Sequence, residues 1–553
     1  MTQAGNPELS PHYYRDNFLA LCATVEEQYG DLLAPGELQF LAVFRQLDFD
    51  AQCLFVRLVS RVGPWFRESK LAYPELGTIP PIVDELLAAG LVEEAAGLSL
   101  EELAGLCTLP ELLRAADLGL PSPAPRGKAA LLAAIAELSL DAKDYLRLAG
   151  AVDSGRIITP CGLVEVEVLQ LLFFGNRHQG LTDFVLSDLG VARYYPYQLD
   201  RQHRLFDSRE AVEEYLACAQ LSDSWYELRE LGEPVDMLAL ATSMTGLSPT
   251  HRSSESRWHR LCNSVARDLE RLGELELAGE LYSLSDSHPA RERRLRILER
   301  LEDWTGAVEM GLAILEQPWC EEERDAAERV LPRVRRRLGG KSAPRSRDNF
   351  ARLDLVLVPA QAPVELLAAE HLAPGWSAVH YVENSLMNAL FGLAFWEQIF
   401  TAVPGAFHNP YQSVPTDMYS PEFQERRREE LTVRLAQLRE SGPGAALREA
   451  YRQYADFQCR WVDWRRINAD LVDAVARVIP GDHLLAIWER MLFDPRENRR
   501  GFPDLIALGD GLGEYCMVEV KGPGDALQES QKRWLRFFDR QGIPATVAWV
   551  SWE

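Results

Sequence analysis

The sequence predicts a multidomain fold whose first two thirds are mostly α-helical and whose C-terminal part is an α/β domain. With 553 residues, the chain is too long for a single hydrophobic core. Apolar residues recur at helical spacing almost everywhere before residue 340. Three apolar runs with strand character appear only after residue 500, and a helical segment separates the last two. We therefore predict four domains, at residues 1–97, 98–140, 141–345 and 346–553.

Composition indicates a folded protein of the cytoplasm. The hydrophobic fraction is 47% and the charged fraction 25%, as in globular proteins. We expect no signal peptide and no membrane association, because no leader-like segment and no run of about 18 apolar residues occurs. The nine cysteines form no C-x-x-C pair, which favours reduced thiols over a zinc site or disulfides. A net charge of −25 lowers the expectation of a polyanionic partner but leaves room for one basic groove.

Residues 1–97 are predicted to form a helical domain that contacts DNA. The stretch "RVGPWFRESKLAYPELG" interleaves three basic residues with aromatic ones, a pattern that suits phosphates and bases. Its candidate contacts are Arg61, Arg67 and Lys70. Taken alone, the stretch favours the alternative of a helix end with ordinary aromatic packing.

Residues 98–140 contain a short helix, a proline-rich loop and a second short helix, in "TLPELLRAADLGLPSPAPRGKAALLAAI". This segment resembles the SAP helix-extension-helix module, which binds duplex DNA. In such modules the loop and the start of the second helix face the DNA backbone, which implies phosphate contacts for Arg126 and Lys128. The loop is longer and richer in proline than usual, and the alternative is a generic helical hairpin.

Residues 141–345 are predicted to be a helical linker followed by tetratricopeptide-like repeats. "LGELELAGELYSL" and "LEDWTGAVEMGLAIL" share a pattern, and such repeats hold other domains and offer a surface to repair-protein partners. The segment ends in an arginine-rich stretch that includes Arg329 and Arg333. In an acidic chain this stretch is a candidate phosphate-binding surface, with a solvated linker as the alternative.

The C-terminal domain carries the residues with the clearest chemistry. In "GFPDLIALGDGLGEYCMVEVKG" the glycines at 511 and 513 predict a hairpin, so Asp504 and Glu519 meet at one end of two antiparallel strands. Glu519 and Lys521 are two residues apart and point to one face. Burying two carboxylates and a lysine is costly unless they bind something. One or two Mg²⁺ or Mn²⁺ ions would relieve the repulsion, and the lysine would orient a water for attack on phosphorus.

These residues form the pattern of the PD-(D/E)xK nucleases. The wider "RRGFPDLIAL…MVEVKGPGDALQESQKRWL" resembles the VRR-NUC branch of that superfamily, and the whole chain resembles the bacterial form of the Fanconi-associated nuclease family. The resemblance places Asp504, Glu519 and Lys521 at the metal and catalytic positions.

The same resemblance implies roles for residues beyond the motif. Val520 lends its carbonyl to the metal and Gln531 supports catalysis. Glu383, which begins "ENSLMNALFGLAFWEQIF", is a further metal ligand and catalytic acid. Arg496 and Arg499, in "DPRENRRGFPD", lie near the DNA end and bind the 5′ phosphate.

The resemblance implies a structure-specific DNA nuclease that cuts near 5′ flaps and degrades 5′ ends. Its substrate is branched or flapped DNA, in the repair of interstrand crosslinks. One alternative is a Holliday-junction-resolving nuclease of the same superfamily. Another is a non-catalytic DNA-repair scaffold, which the intact set of Glu383, Asp504, Glu519 and Lys521 argues against.

Overall fold

The computed structural model describes residues 10–61, 63–95, 98–114, 127–137, 148, 155–180, 193–340 and 348–553. The chain divides into two compact units, residues 1–192 and 193–553. This division falls within the predicted 141–345 segment, and the finer predicted boundaries stay predictions.

The first unit combines helices with a small antiparallel sheet of strand order β1-β3-β2. Its elements are α1 (Tyr13–Tyr29), α2 (Pro35–Gln46), α3 (Phe49–Val59), β1 (Phe66–Arg67), α4 (Ile79–Ala88), β2 (Val92–Glu94), α5 (Leu100–Leu106), α6 (Leu109–Arg114), α7 (Lys128–Ala136), β3 (Ile157–Pro160) and α8 (Leu163–Phe174). Phe44 links α2 to α1 and α3, with its ring 5.0 Å from that of Phe18 and 5.7 Å from that of Phe55. Such aromatic packing holds the three helices as one core.

The structure contains both helices of the predicted helix-extension-helix module. They are α6 and α7, and Leu112 and Leu131 lie buried in one small core. The loop between them, including Arg126, lies outside the described residues.

The second unit begins with helices that pack on one another in succession. They follow the two-residue strand β4 (Arg193–Tyr194), and are α9 (Arg209–Leu231), α10 (Pro234–Met244), α11 (Arg252–Leu272), α12 (Leu275–Ser283), α13 (Ala290–Arg300), α14 (Trp304–Glu316) and α15 (Glu321–Arg337). The two segments that predicted the repeat form α12 and α14. Where α14 meets α15, a Cβ atom on Gly311 would lie 2.7 Å from the Leu331 side chain, so only glycine allows this approach.

A helical layer and a five-stranded sheet complete the second unit. Their elements are β5 (Arg352–Leu357), α16 (Val364–Leu372), β6 (Ala378–Tyr381), α17 (Glu383–Ala394), α18 (Trp396–Ile399), α19 (Glu422–Arg426), α20 (Arg428–Ser441), α21 (Pro443–Tyr454), β7 (Phe457–Gln458), α22 (Ala469–Val478), α23 (Gly481–Phe493), β8 (Leu505–Leu508), β9 (Tyr515–Lys521), α24 (Glu529–Gln541) and β10 (Ala545–Trp552). β7 pairs with β4 apart from the main sheet.

The five-stranded sheet has the order β5-β10-β9-β8-β6. β10 runs parallel to both β5 and β9, and β8 runs antiparallel to both β9 and β6. The predicted hairpin of β8 and β9 and the β-α-β unit of β9, α24 and β10 are therefore confirmed. β5 and β6 were not predicted.

Alternate residues of the sheet enter two different cores. Leu505 and Val518 belong to a core shared with α16. Ile506 and Met517 belong to a larger core built with helices α17 to α23. Both faces are thus covered, and charged groups on these strands need partners or ligands to be buried.

Helix α15 holds the loop that precedes β8. The Arg490 guanidinium lies 3.2 Å from the Glu321 carboxylate, and the Glu321 amide donates to Asp494 at 3.0 Å. Arg533 of α24 pairs with Asp325 of α15 at 3.0 Å. These buried contacts fix the loop and α24 relative to the repeat helices.

Two expectations from composition can be compared with the structure. The structure forms no bond between any two of the nine cysteines, and their reduced state stays a prediction. Within the described part of the chain, no helix is both long enough and apolar enough to cross a bilayer.

Candidate active site

Asp504 and Glu519 meet at the open end of the β8–β9 hairpin. Leu505 pairs with Val518, which brings the preceding Asp504 opposite Glu519. One carboxylate oxygen of Asp504 accepts a hydrogen bond from the Val520 amide at 2.8 Å. The sequence prediction that the hairpin brings the two acids together is confirmed.

Glu519 is held by two donors and keeps one oxygen unpartnered. Its Oε1 lies 2.9 Å from Lys521 Nζ and accepts from Gln531 Nε2 of α24 at 2.5 Å. Gln531 is itself fixed, because its Oε1 accepts from the Gln528 amide at the start of α24. Glu519 is fully buried, and its Oε2 has no hydrogen-bond partner among the described residues. A buried oxygen in this state suits a cation.

Glu383 is tied to Asp504 through the backbone. The carbonyl oxygen of Asp504 accepts from the amides of Val382 and Glu383, each at 2.9 Å. Glu383 starts α17 with a φ of 42°, a left-handed conformation that costs a non-glycine residue roughly 1–3 kcal/mol. The two hydrogen bonds to the Asp504 carbonyl stabilise this conformation and bring the start of α17 to the end of the hairpin.

The Glu383 carboxylate makes only weak contacts with its sequence neighbours Tyr381 and Asn384 among the hydrogen bonds of the described residues. Its oxygens lie 3.4 Å from the Tyr381 hydroxyl and 3.4 Å from the Asn384 amide nitrogen, which are long for hydrogen bonds. Among the described residues, no three acidic, histidine or cysteine side chains already converge on a common ion position. Binding a cation with all three acids therefore requires their carboxylates to move closer together.

Burial raises the pKa of both hairpin acids, Asp504 and Glu519. It raises the pKa of Asp504 to about 6, with a further contribution from the charges of Glu365 and Glu383. It raises the pKa of Glu519 to about 7, and the charge of Asp504 adds to the shift. The donor set, the orphaned oxygen and this unrelieved repulsion fit a divalent metal ion.

Glu365 is an acid near the site that the sequence interpretation missed. It lies in the first turn of α16, and the preceding Val364 would contact a Cβ atom on Gly522, directly after Lys521. Its charge contributes to the raised pKa of Asp504 and of Tyr381. Only the packing of α16 on the sheet brings it there, so no local motif could have indicated it.

The two arginines before β8 differ in their surroundings. Arg496 is exposed and close enough to Glu322 to help lower the pKa of that carboxyl, after the larger contribution of His288. Arg499 is half-buried with its guanidinium 4.4 Å from the centre of the Tyr419 ring. Their predicted role at a 5′ phosphate stays a prediction.

Of the candidates in 61–70, Arg67 does not fit a DNA-contacting role. It is 5% exposed and donates two hydrogen bonds to Glu111, at 2.7 and 3.1 Å. Arg61 is exposed, with its guanidinium 2.9 Å from the Tyr73 hydroxyl. Lys70 is exposed and 3.5 Å from Glu111. The ordinary-packing alternative therefore applies to Arg67, because its enclosed guanidinium has no free face for a phosphate.

The remaining candidates lie on helices. Lys128 begins α7, is exposed and donates to the Gly105 carbonyl at 2.8 Å. Arg333 of α15 binds both oxygens of Glu299, at 2.5 and 2.6 Å. Arg329 is exposed, and its charge lowers the pKa of Glu529 at the start of α24 after larger contributions from Lys532 and Arg536. Arg329 thus lies near the start of α24.

Comparisons with known proteins agree with this architecture. Three family models match the chain: "FAN1, HTH domain" at residues 12–93, "Fanconi anemia-associated nuclease SAP domain" at 97–145 and "VRR-NUC domain" at 438–552.

Two relatives are similar to this chain over nearly its whole length. A Fanconi-associated nuclease 1 homolog of Pseudomonas aeruginosa is 37% identical over 98% of this chain and 96% of its own length. The human Fanconi-associated nuclease 1 is 25% identical over 97% of this chain, which spans 62% of the human protein.

Two solved structures are similar to the whole chain. One is paFAN1 bound to DNA with a two-nucleotide 5′ flap and a gap, with a TM-score of 0.84, 36% identity and coverage of 99% of this chain and 100% of that one. The other is paFAN1 bound to DNA with a one-nucleotide 5′ flap and a gap, with a TM-score of 0.83, 36% identity and coverage of 98% and 100%.

Proposed function

This chain belongs to the Fanconi-associated nuclease family and is a structure-specific DNA nuclease, and we propose that it hydrolyses phosphodiester bonds near 5′ flaps with Mg²⁺ or Mn²⁺. The proposal includes 5′-to-3′ exonuclease activity and a role in the repair of interstrand crosslinks and branched intermediates. The two paFAN1 structures, which hold 5′-flap DNA, support the choice of substrate.

The observation that carries the proposal is the state of Glu519. This carboxylate is fully buried and is bonded through one oxygen to Lys521 and Gln531, while its other oxygen, beside Asp504, has no partner in the described part of the chain. A purely structural acid in a sheet would have both oxygens satisfied.

The residues that would hold one or two divalent ions are Asp504, Glu519 and Glu383, with the carbonyl of Val520 as a further ligand. When bound, a divalent ion stabilises negative charge on the scissile phosphate and lowers the pKa of a coordinated water. The rest of the chemistry belongs to the chain itself.

Lys521 holds a positive charge at the point where negative charge develops. Its Nζ is nearly buried and already oriented by Glu519, so it needs little reorganisation to orient a water or stabilise the phosphate. Gln531 fixes the Glu519 carboxylate from the side of α24. The buried strand ends exclude bulk water, which strengthens each of these interactions.

We propose DNA contacts for cationic side chains that are exposed or half-buried. Arg496 is the first candidate for the 5′ phosphate, with Arg499 second, while Arg329 and Arg333 offer weaker candidates on α15. Arg61, Lys70 and Lys128 are proposed backbone contacts in the first unit, because phosphate contacts position DNA without reading its sequence. Repair-protein partners along the repeat helices and a cytoplasmic location also stay predictions.

The test uses labelled DNA with a 5′ flap, a 3′ flap, a blunt end or a four-way junction, each incubated with purified protein and Mn²⁺. We expect cleavage near the 5′ flap, and none in EDTA. Asp504→Asn should abolish it while leaving flap binding within about twofold of the wild type.

A matched control is Asp510→Asn, which makes the same change at an exposed position on the same hairpin. This variant should cut at the wild-type rate. Tight binding without cleavage in any metal would contradict the proposal, and symmetric nicking of the four-way junction would favour the junction-resolving alternative.

A further inference from the structure

The repeat helices contain a basic cleft that the proposed nuclease chemistry does not use. It has a volume of about 600 Å³ and lies among α9, α11 and α13. Five arginines line it: Arg229, Arg260, Arg267, Arg271 and Arg293. The chain has a net charge of −25, so the positive charge of this cleft contrasts with the charge of the protein as a whole.

The charges of the cleft are layered, with acids beneath and arginines outside. The side chains of Asp268 and Glu270 are 9% and 2% exposed, whereas those of Arg271 and Arg267 are 66% and 45% exposed. Asp268 accepts from Arg271 at 2.8 Å and lies 3.6 Å from Arg229. The buried carboxylates therefore orient the guanidinium groups, and a positive face is left toward solvent.

Three acids, Asp268, Glu270 and Glu292, face the five arginines of the cleft and are too few to neutralise them. Glu270 is shared among three guanidinium groups and also accepts from the Tyr282 hydroxyl at 2.8 Å. Arg260 is exposed, and its one described hydrogen bond goes to the Ser256 carbonyl at 3.1 Å. Planar guanidinium groups with free donors are suited to phosphate oxygens.

Asn263 adds a buried group that lacks a partner. The residue lines the cleft and is 8% exposed. Its amide nitrogen is occupied by Ser287, at 3.2 Å, but its Oδ1 has no hydrogen-bond partner among the described residues. A simple anion leaves this acceptor unsatisfied, whereas a ligand that also carries an N–H donor satisfies it.

An exposed aromatic ring lies beside the arginines. Tyr226 of α9 is 45% exposed, and the Arg229 guanidinium lies 4.9 Å from the centre of its ring. The cleft thus offers guanidinium groups that donate to phosphates, an amide oxygen that can accept from a base N–H, and an aromatic ring. Together these match the requirements of single-stranded DNA, whose bases are unstacked and open to contact.

We propose that this cleft binds the unpaired strand of a branched DNA substrate, with the arginines on its phosphates and Asn263 on a base edge. The choice of ligand rests on the proposed function, since a flap nuclease meets such a strand in every substrate. Binding here lies apart from the proposed metal-binding acids, so it affects affinity for long flaps and not the chemical step.

The test measures binding of a fluorescent 30-nucleotide single strand, and of flaps of 1 and 15 nucleotides, by the full chain in EDTA. The variant is Arg260→Ala/Arg271→Ala, which leaves Asp268 its contacts with Arg229 and with Trp225. We expect affinity for the single strand and the 15-nucleotide flap to fall about tenfold. The slope of log affinity against log salt should decrease by roughly 0.7 for each phosphate that the variant no longer neutralises.

Tyr226→Ala should also weaken single-strand binding, by about fivefold, and with little change in the salt slope. The matched control is Arg452→Ala, at a 76%-exposed arginine of α21, which should bind like the wild type. Cleavage of the one-nucleotide flap should proceed at the wild-type rate in all three variants.

Unchanged single-strand binding in a folded Arg260→Ala/Arg271→Ala protein would overturn the proposal. So would an equal loss for blunt duplex, which indicates a general electrostatic effect, or displacement of the wild-type complex by poly-glutamate at equal charge, which indicates an acidic protein ligand. Failure of the wild type to cut any flap would instead contradict the proposed function and leave the binding result standing.

Discussion

The ammonium group of Lys521 lies 2.9 Å from Oε1 of Glu519, and both side chains are almost completely enclosed. The pair stands at the end of β9, one strand away from Asp504. A buried ion pair contributes little to stability by itself, because desolvation offsets most of the attraction. Its position beside a second, unpaired acid is better explained by catalysis than by stability.

Replacing Lys521 with methionine should stop catalysis without unfolding the protein. Methionine fills similar space, but the charge that orients water and stabilises the phosphate is lost, so the single-turnover rate should fall at least about a hundredfold. Flap binding should change little.

The control for this prediction is Lys532→Met, which removes a half-buried lysine of α24 that pairs with Glu529. Cleavage by this variant should match the wild type. If purified, folded Lys521→Met protein cut at the wild-type rate, Lys521 would have no role in catalysis.

Metal affinity should depend on pH in a direction set by the hairpin acids. Burial holds the pKa of Asp504 at about 6 and that of Glu519 at about 7, so both keep protons at pH values where ordinary carboxyls are ionised. A cation binds the ionised forms, and binding must therefore release protons below pH 7. Affinity for Mn²⁺ should rise about tenfold or more from pH 5.5 to 7.5 and then level off.

Calorimetric titration in buffers of different ionisation enthalpy measures both the affinity and the protons released. In the metal-free protein the same raised pKa values make the folded state lose stability as pH rises, since the folded state binds more protons than the unfolded state. Glu519→Gln should weaken Mn²⁺ binding and flatten the pH dependence. A pH-independent affinity in the wild type would show that neither acid is a ligand.

We expect replacement of Gly501 by alanine to lower both stability and activity. Its φ is 81°, and a Cβ atom there would lie 2.6 Å from the Ser530 carbonyl carbon, so Gly501→Ala combines backbone strain with a clash against α24. We expect a loss of roughly 1–3 kcal/mol in stability. Activity should decrease as well, because the displaced loop carries Asp504.

Gly513 provides the matched control for Gly501. Its φ is 85°, yet a Cβ atom would meet nothing within 4 Å, so Gly513→Ala tests the strain without the clash. Thermal unfolding should show the larger loss for Gly501→Ala, and cleavage should decrease only in that variant. Equal losses would mean that contact with α24 is unimportant.

The sequence predicted those parts of the site whose partners are close in the chain. The β8–β9 hairpin follows local rules of alternation and turn formation, so Asp504, Glu519 and Lys521 could be brought together in advance, whereas Gln531 was placed there by the family resemblance. Strand β5 was missed because it pairs with β10, almost two hundred residues later, although its own residues alternate between exposed and more buried positions. Glu365 and the arginine cleft were missed for a related reason, since packing of a helix on the sheet creates the first and packing between separate helices creates the second.

The Arg67–Glu111 pair shows how a basic residue can mislead a sequence interpretation. Both side chains are buried, and the two hydrogen bonds to Arg67 hold the pKa of Glu111 well below its usual range. Arg67→Ala removes the two hydrogen bonds from the guanidinium that compensate the buried Glu111 carboxylate, and we expect the first unit to lose about 3–5 kcal/mol of stability.

Thermal unfolding of Arg67→Ala should be compared with that of Lys70→Ala, which removes an exposed neighbour of the same carboxylate. Lys70→Ala should change stability by less than about 0.5 kcal/mol. If Arg67→Ala were as stable as the wild type and bound DNA less well, Arg67 would return to the set of DNA contacts.

Arg496 should distinguish flaps by the phosphate at their 5′ end. It is exposed next to the loop that carries Asp504, and a guanidinium recognises a terminal phosphate through paired hydrogen bonds. Glu322 lies close enough to interact with it, which limits the positive charge available there. We therefore expect Arg496→Ala to slow cleavage of phosphorylated flaps about tenfold and that of unphosphorylated flaps by less than threefold.

The comparison needs two substrates that differ only in the 5′ phosphate, cut under single-turnover conditions by the wild type, by Arg496→Ala and by Arg540→Ala as an exposed control on α24. Arg540→Ala should cut both substrates like the wild type. Glu322→Gln should enlarge the preference for phosphorylated flaps, because it removes the opposing charge while keeping the side-chain shape. Equal losses on both substrates in Arg496→Ala would place the residue on the DNA backbone and leave the end phosphate to other groups.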